Sequence, residues 1–135
     1  MDSNAPQYIA FYGSLMQPHG MQRDLGIEDQ LELIGPCEIF GVLYDLGDYP
    51  GLVASESERV HAELYRIKNP AVLVQLDEYE DYRPENEAGS LYLRRLVRLA
   101  RPDVDCWVYF YNREVFDGQR VVSGKWVFGR QRGAE

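Results

Sequence analysis

Only one stretch of the 135-residue chain carries a helical hydrophobic period, and this restricts the possible folds more than any other feature. Asn69-Pro70 offers an N-cap residue followed by proline at the first helical position, and Val72, Leu73, Leu76 and Tyr79 follow at helical spacing. Most other patterned segments are strand-like. Tyr8 to Tyr12 is a short apolar and aromatic run that stops at Gly13-Ser14. Leu31 to Ile34 and Ile39 to Tyr44 read as two strand segments, with Gly35-Pro36 bending or bulging the chain between them. Tyr49-Pro50-Gly51-Leu52 reads as a turn, and Val60 to Ile67 alternates as a strand does. Leu91 to Leu99 reads as half-buried, with Leu91, Leu93, Val97 and Leu99 on one parity and Arg94 and Arg98 on the other. Val104 to Tyr111 has aromatics on both parities, as expected of a central strand. The polar stretch from Met16 to Gln30 has room for one or two helical turns. The expectation is an α+β domain of six or seven strands and one main helix, its sheet curled towards a barrel.

Composition bounds the function classes. Hydrophobic residues make up 45% and charged residues 27%, the profile of a globular chain that buries a core. The whole chain, 1–135, reads as one domain with its core over about 8–128 and a polar tail from Gly129. Fourteen basic against 22 acidic residues give a net charge of −8, which repels a phosphate backbone or an anionic membrane surface. Nucleic acid and membrane are therefore not expected partners. No apolar run reaches the ~18 residues of a membrane span, and the start of the chain lacks the pattern of a secretory signal. Two cysteines, Cys37 and Cys106, lie far apart in strand-like segments and make no disulfide framework. A reducing compartment, the cytosol, fits this usage.

Glu80 is the most informative single residue. At about 100° per residue, with Leu73 as zero, Leu76 lies near −60°, Asp77 near +40° and Glu80 near −20°. A carboxylate on the apolar stripe of a helix is costly unless it is used, because desolvation disfavours its charged form. Raised proton affinity is what a general base working near neutral pH needs. The competing reading is an acidic run, since Asp77, Glu78, Glu80, Asp81, Glu85 and Glu87 fall within eleven residues. Such runs are usually solvated faces, and the helix could end at Tyr79 with Glu80 in a frayed turn.

The second candidate is the loop Tyr12-Gly13-Ser14-Leu15. A strand ending in Gly-Ser can turn several backbone N–H groups toward one point, suited to a carboxylate or an oxyanion, although most Gly-Ser strand ends are ordinary turns. Other chemistries lack support. Ser14 has no G-x-S-x-G context, and only His19 and His61 could serve as triad bases. His19, Cys37, His61 and Cys106 show no paired metal-ligand spacing, so no metal is expected. No G-x-G-x-x-G or Walker sequence supplies a phosphate cradle. Arg94, Arg95, Arg98 and Arg101 read as an exposed strand face balancing the acidic segment.

The ordered set Tyr12-Gly13-Ser14-Leu15, Tyr49-Pro50-Gly51-Leu52, Val60 to Tyr65, Leu76-Asp77-x-x-Glu80, Tyr92-x-Arg94 and Trp107-Val108-Tyr109 resembles the γ-glutamylcyclotransferase-like family in its short form. That form includes the γ-glutamylamine cyclotransferases and the avirulence-induced plant proteins. The resemblance runs from about Tyr8 to Tyr111 and departs from the family pattern at Ala62 and Asp81, where glycine is usual. It implies a small mixed β-barrel flanked by helices, a catalytic acid/base at Glu80, a substrate loop at Tyr12 to Leu15 and a pocket-lining tyrosine at Tyr109. The implied reaction is cofactor-independent: the α-amine of a small γ-glutamyl compound attacks its own γ-carbonyl, releasing 5-oxoproline and an amine or amino acid. A non-catalytic binding or interaction module on the same fold is the alternative. Oligomeric state is left open.

Overall fold

The computed structural model describes residues 7–16 and 20–126. The chain runs β1 (Tyr8–Phe11), α1 (Met21–Asp24), β2 (Leu31–Asp45), β3 (Pro50–Ile67), α2 (Val72–Glu80), β4 (Tyr92–Arg98) and β5 (Asp105–Tyr111), with short 3-10 turns between. The strands form one mixed sheet in the order β2-β3-β1-β5-β4. β1 pairs antiparallel with β3 and parallel with β5. The segment after β4 folds back onto the far edge: the Glu38 N–H donates to the Arg101 carbonyl at 2.7 Å and the Ala100 N–H to the Glu38 carbonyl at 2.9 Å. The sheet thus curls until β2 meets the chain that follows β4.

The α+β class and the single main helix agree with expectation, and the strand count differs. Among the described residues five strands replace six or seven, because two apparent breaks are bulges within long strands. Leu31 to Ile34 and Ile39 to Tyr44 belong to one β2, whose register against β3 shifts between Leu33 and Gly35. A second shift follows Phe40, where β2 passes from facing Arg59 to facing Ala54, so that Ser55 to Glu58 protrude from β3. Tyr49-Pro50-Gly51-Leu52 is not the turn. The hairpin reverses three residues earlier, over Leu46 to Tyr49, closed by the Leu46 N–H on the Tyr49 carbonyl with Gly47 at φ +110°, and Pro50 opens β3. Proline is tolerated there because the first strand residue need not donate to the ladder.

Two packed layers flank the central strands. Ala10, Tyr12, Ile39, Leu43, Leu52, Val60, Leu64 and Val108 fill the inside of the curl. Ile9, Phe11, Tyr65, Tyr92 and Tyr109 face the other way and meet Val72 and Leu76 of α2. Apolar residues on both parities of β1 and β5 follow from this double burial. Cys37 and Cys106 are buried free thiols in β2 and β5. Among the described residues no helix is long and apolar enough to cross a membrane. His19 and the tail from Gly129 lie outside the described residues.

Candidate functional site

α2 begins two residues after Pro70. The Asn69 side chain still serves the entry, its Oδ1 accepting the Ala71 N–H at 3.1 Å. Val72 and Leu76 are fully buried, and Glu80 continues their line at four-residue spacing. The helix runs through Glu80 rather than fraying at Tyr79. It is closed by Asp81 in the left-handed region (φ 57°, ψ 47°), with the Tyr82 N–H on the Asp77 carbonyl at 2.9 Å. That conformation accounts for a glycine preference at this position, and aspartate is among the few other residues that enter it.

Glu80 ends at a cavity of about 250 Å³ bounded by Tyr12 to Leu15, Tyr49, Pro50, Tyr79, Leu91, Tyr92 and Tyr109. All six sequence-predicted site residues, Tyr12, Gly13, Ser14, Leu15, Glu80 and Tyr109, therefore meet at one place. Pockets for drug-sized ligands hold ~300–1,000 Å³, so this one suits a smaller molecule. Ala62 is buried in β3 and Asp81 pairs with Arg83 at 3.1 Å, and neither bounds the cavity. His61 is exposed well inside β3, away from the cavity.

Four tyrosines couple electrostatically to Glu80, and none bonds to it. The Tyr12 hydroxyl donates to the Tyr109 carbonyl at 2.7 Å, Tyr92 to the Pro50 carbonyl at 2.6 Å and Tyr109 to Asp77 Oδ1 at 2.7 Å, while the Tyr79 hydroxyl meets Ser14 Oγ at 2.7 Å. The Glu80 carboxylate consequently has no hydrogen bond or ion pair with any described residue. Burial pushes its pKa up to about 8, helped by the neighbouring charge of Asp77. Burial likewise pushes the Tyr12, Tyr92 and Tyr109 hydroxyls up, keeping them neutral.

The loop after β1 is tied down through its carbonyls. The Leu15 carbonyl accepts the Gln22 side chain at 2.6 Å and the Gly13 carbonyl accepts the Met16 N–H at 3.0 Å. The N–H groups of Gly13, Ser14 and Leu15 donate to no other described residue. A Cβ at Gly13 would stand 2.8 Å from Pro50 Cγ, so only glycine lets the loop lie against β3. Among the described residues Glu80 is the one carboxyl on the cavity wall, and no Lys, Arg or His joins it. Among the described residues no three His, Cys, Asp or Glu side chains are grouped to hold a metal.

Sequence reasoning missed Tyr49, Pro50, Tyr79 and Tyr92 as cavity walls. It also misplaced Arg94, which is not an exposed counterweight: its guanidinium is largely buried and forked onto Asp77 at 2.8 and 3.0 Å. Parity places Tyr92 and Arg94 on one face of β4 with their partners Tyr111 and Tyr109 on β5, but does not say that α2 covers that face.

Comparison with known proteins identifies the family. Residues 9–128 match the family described as Gamma-glutamyl cyclotransferase, AIG2-like. A protein of Halalkalibacterium halodurans named "Putative gamma-glutamylcyclotransferase BH1612" is 41% identical over 94 residues, covering 67% of this chain and 82% of that one. A Vibrio cholerae protein named "Putative gamma-glutamylcyclotransferase" is 32% identical over 123 residues, covering 89% and 96%. The solution NMR structure of protein ytfP from Escherichia coli superposes with a TM-score of 0.61 at 32% identity, covering 94% of this chain and 99% of that one. The chain belongs to the Gamma-glutamyl cyclotransferase, AIG2-like family.

Proposed function

We propose that the protein is a γ-glutamyl cyclotransferase that converts a small γ-glutamyl compound into 5-oxoproline and a free amine or amino acid, with Glu80 as general acid/base. The observation that carries this reading is a carboxylate with no hydrogen bond or ion pair among the described residues, its pKa raised to about 8, at a cavity also lined by a loop whose backbone N–H groups donate to no described residue. A solvent-facing Glu80 or a closed cavity would have favoured the non-catalytic alternative.

The nucleophile is already tethered to the electrophile, so the protein has mainly to hold the substrate bent. Orientation alone supplies ~7–11 kcal/mol in favourable intramolecular cases. The amides of Gly13 to Leu15 hold an anion, either the α-carboxylate or the developing oxyanion. Glu80 takes a proton from the α-ammonium, and the freed amine attacks the γ-carbonyl to form the C–N bond of a five-membered ring. Protonated Glu80 then delivers that proton to the leaving nitrogen as the original amide bond breaks. The ring nitrogen sheds its remaining surplus proton through the same carboxylate, so two protons pass from the α-nitrogen to the departing amine. No protein nucleophile, metal or organic cofactor enters these steps. Release of 5-oxoproline from a panel of γ-glutamyl amino acids, γ-glutamyl-ε-lysine, other γ-glutamyl amines and glutathione tests the proposal. Turnover of at least one compound is expected, and inertness across the panel with detectable ligand binding would favour a binding module.

A further inference from the structure

We propose that Arg94 is a positioning residue for this site: by clamping Asp77 to the sheet it holds the last turn of α2 in place and governs the surroundings of the Glu80 carboxylate. The inference rests on the reaction proposed above, which gives Asp77 and Arg94 no part of their own. Neither bounds the cavity.

The clamp joins the three elements that carry Glu80, Tyr92 and Tyr109. Arg94 on β4 forks onto Asp77 of α2, with Nε 2.8 Å from Oδ1 and Nη2 3.0 Å from Oδ2. Tyr109 on β5 donates its hydroxyl to the same Oδ1 at 2.7 Å. The guanidinium is stacked 4.5 Å from the Trp107 ring centroid. Only 15% and 13% of the Arg94 and Asp77 side chains are exposed, whereas every other ion pair among the described residues keeps at least one partner far more open to water. Exposed pairs contribute little, but losing one partner of a buried pair leaves an uncompensated charge. A planar bidentate fork also sets direction, which lysine cannot reproduce.

Asp77 lies one turn before Glu80, so its charge acts on Glu80 directly. The groups facing Glu80 are Asp77 and Tyr79 from its own helix, Tyr12 after β1, Tyr92 from β4 and Tyr109 from β5. Asp77 is the only carboxylate among them, and its repulsion assists burial in favouring protonated Glu80. Arg94 neutralises Asp77 and so limits that repulsion.

The test follows Glu80 itself, by carboxyl carbon NMR in selectively labelled protein, alongside the pH profile of kcat/KM for 5-oxoproline release. Asp77→Asn should lower the Glu80 midpoint by about one pH unit. Arg94→Met should raise it by a similar amount and cut kcat/KM at pH 7 about tenfold, with Arg94→Lys falling between the native protein and Arg94→Met. If Arg94→Met does not fold, Asp77→Asn and Arg94→Lys decide. A Glu80 midpoint that stays put in the folded variants would overturn the inference, leaving the ion pair a structural strut. Shifted midpoints in a protein that releases no 5-oxoproline would uphold the clamp and refute the reaction.

Discussion

The hydroxyls of Ser14 and Tyr79 lie 2.7 Å apart, bridging the loop after β1 to the last turn of α2. The bridge sets the span between the loop amides and Glu80, and it occupies the serine oxygen with a phenol instead of a base.

Side-chain and backbone changes in this loop should therefore separate. Ser14→Ala forfeits one partly exposed hydrogen bond, a loss of about 0.5–1.5 kcal/mol, and should keep measurable turnover with KM raised tenfold or less. Gly13→Val should abolish activity, because even its Cβ would stand 2.8 Å from Pro50 Cγ and displace the strand end that accepts the Tyr92 hydroxyl. Its overpacking should also cost ~1–3 kcal/mol of stability by denaturant unfolding. A folded, ligand-binding Ser14→Ala with no turnover would instead indicate a serine nucleophile.

The raised pKa of Glu80 makes a stability prediction with a definite sign. In the unfolded chain the group titrates near 4.5, and in the folded protein near 8. Below about pH 4.5 both states hold the proton and burial carries no ionisation penalty. As pH climbs from 4.5 to 8 the unfolded chain gives up its proton first, and the folded state loses ground until its own carboxyl ionises. Glu80→Gln should thus gain stability relative to the native protein across this window, reaching a plateau above pH 8. Urea unfolding at pH 4.5, 6.5 and 8.5 measures the gap, and a constant difference across the three would contradict the buried carboxylate. By the same titration, native kcat/KM should rise with pH and level off above about 8, since the proposed base is ionised Glu80.

Much of the site was legible because local signals happened to coincide with it. Glu80 could be placed from a nine-residue helical period alone, since Val72, Leu76 and Glu80 share one line on α2. Gly13-Ser14 marked the loop because a strand end at glycine is a local event. Arg94 was opaque for the opposite reason: its pairing with Asp77 depends on how β4 sits under α2, and strand parity cannot say which face the helix covers. The strand count failed at Gly35-Pro36 and around Ser55 to Glu58, where a bulge and a chain break have the same composition and only pairing across the hairpin tells them apart.

Proton transfer through one carboxylate requires no bound metal, so activity should survive prolonged chelation and dialysis. Assay of 5-oxoproline release before and after treatment checks this. Loss that is restored by one particular metal ion would overturn the cofactor-free scheme.

The most direct measurement compares kcat for 5-oxoproline release in Glu80→Gln and Glu78→Gln. Glutamine keeps the size and hydrogen-bonding reach of Glu80 and removes its basicity, so kcat should fall by ~10²–10⁴ while substrate still binds through the loop. Glu78 is exposed on the solvent side of the same helix, and its variant should match the native protein. Equal losses in the two variants, or an undiminished Glu80→Gln, would contradict the assignment of Glu80 as the proton shuttle.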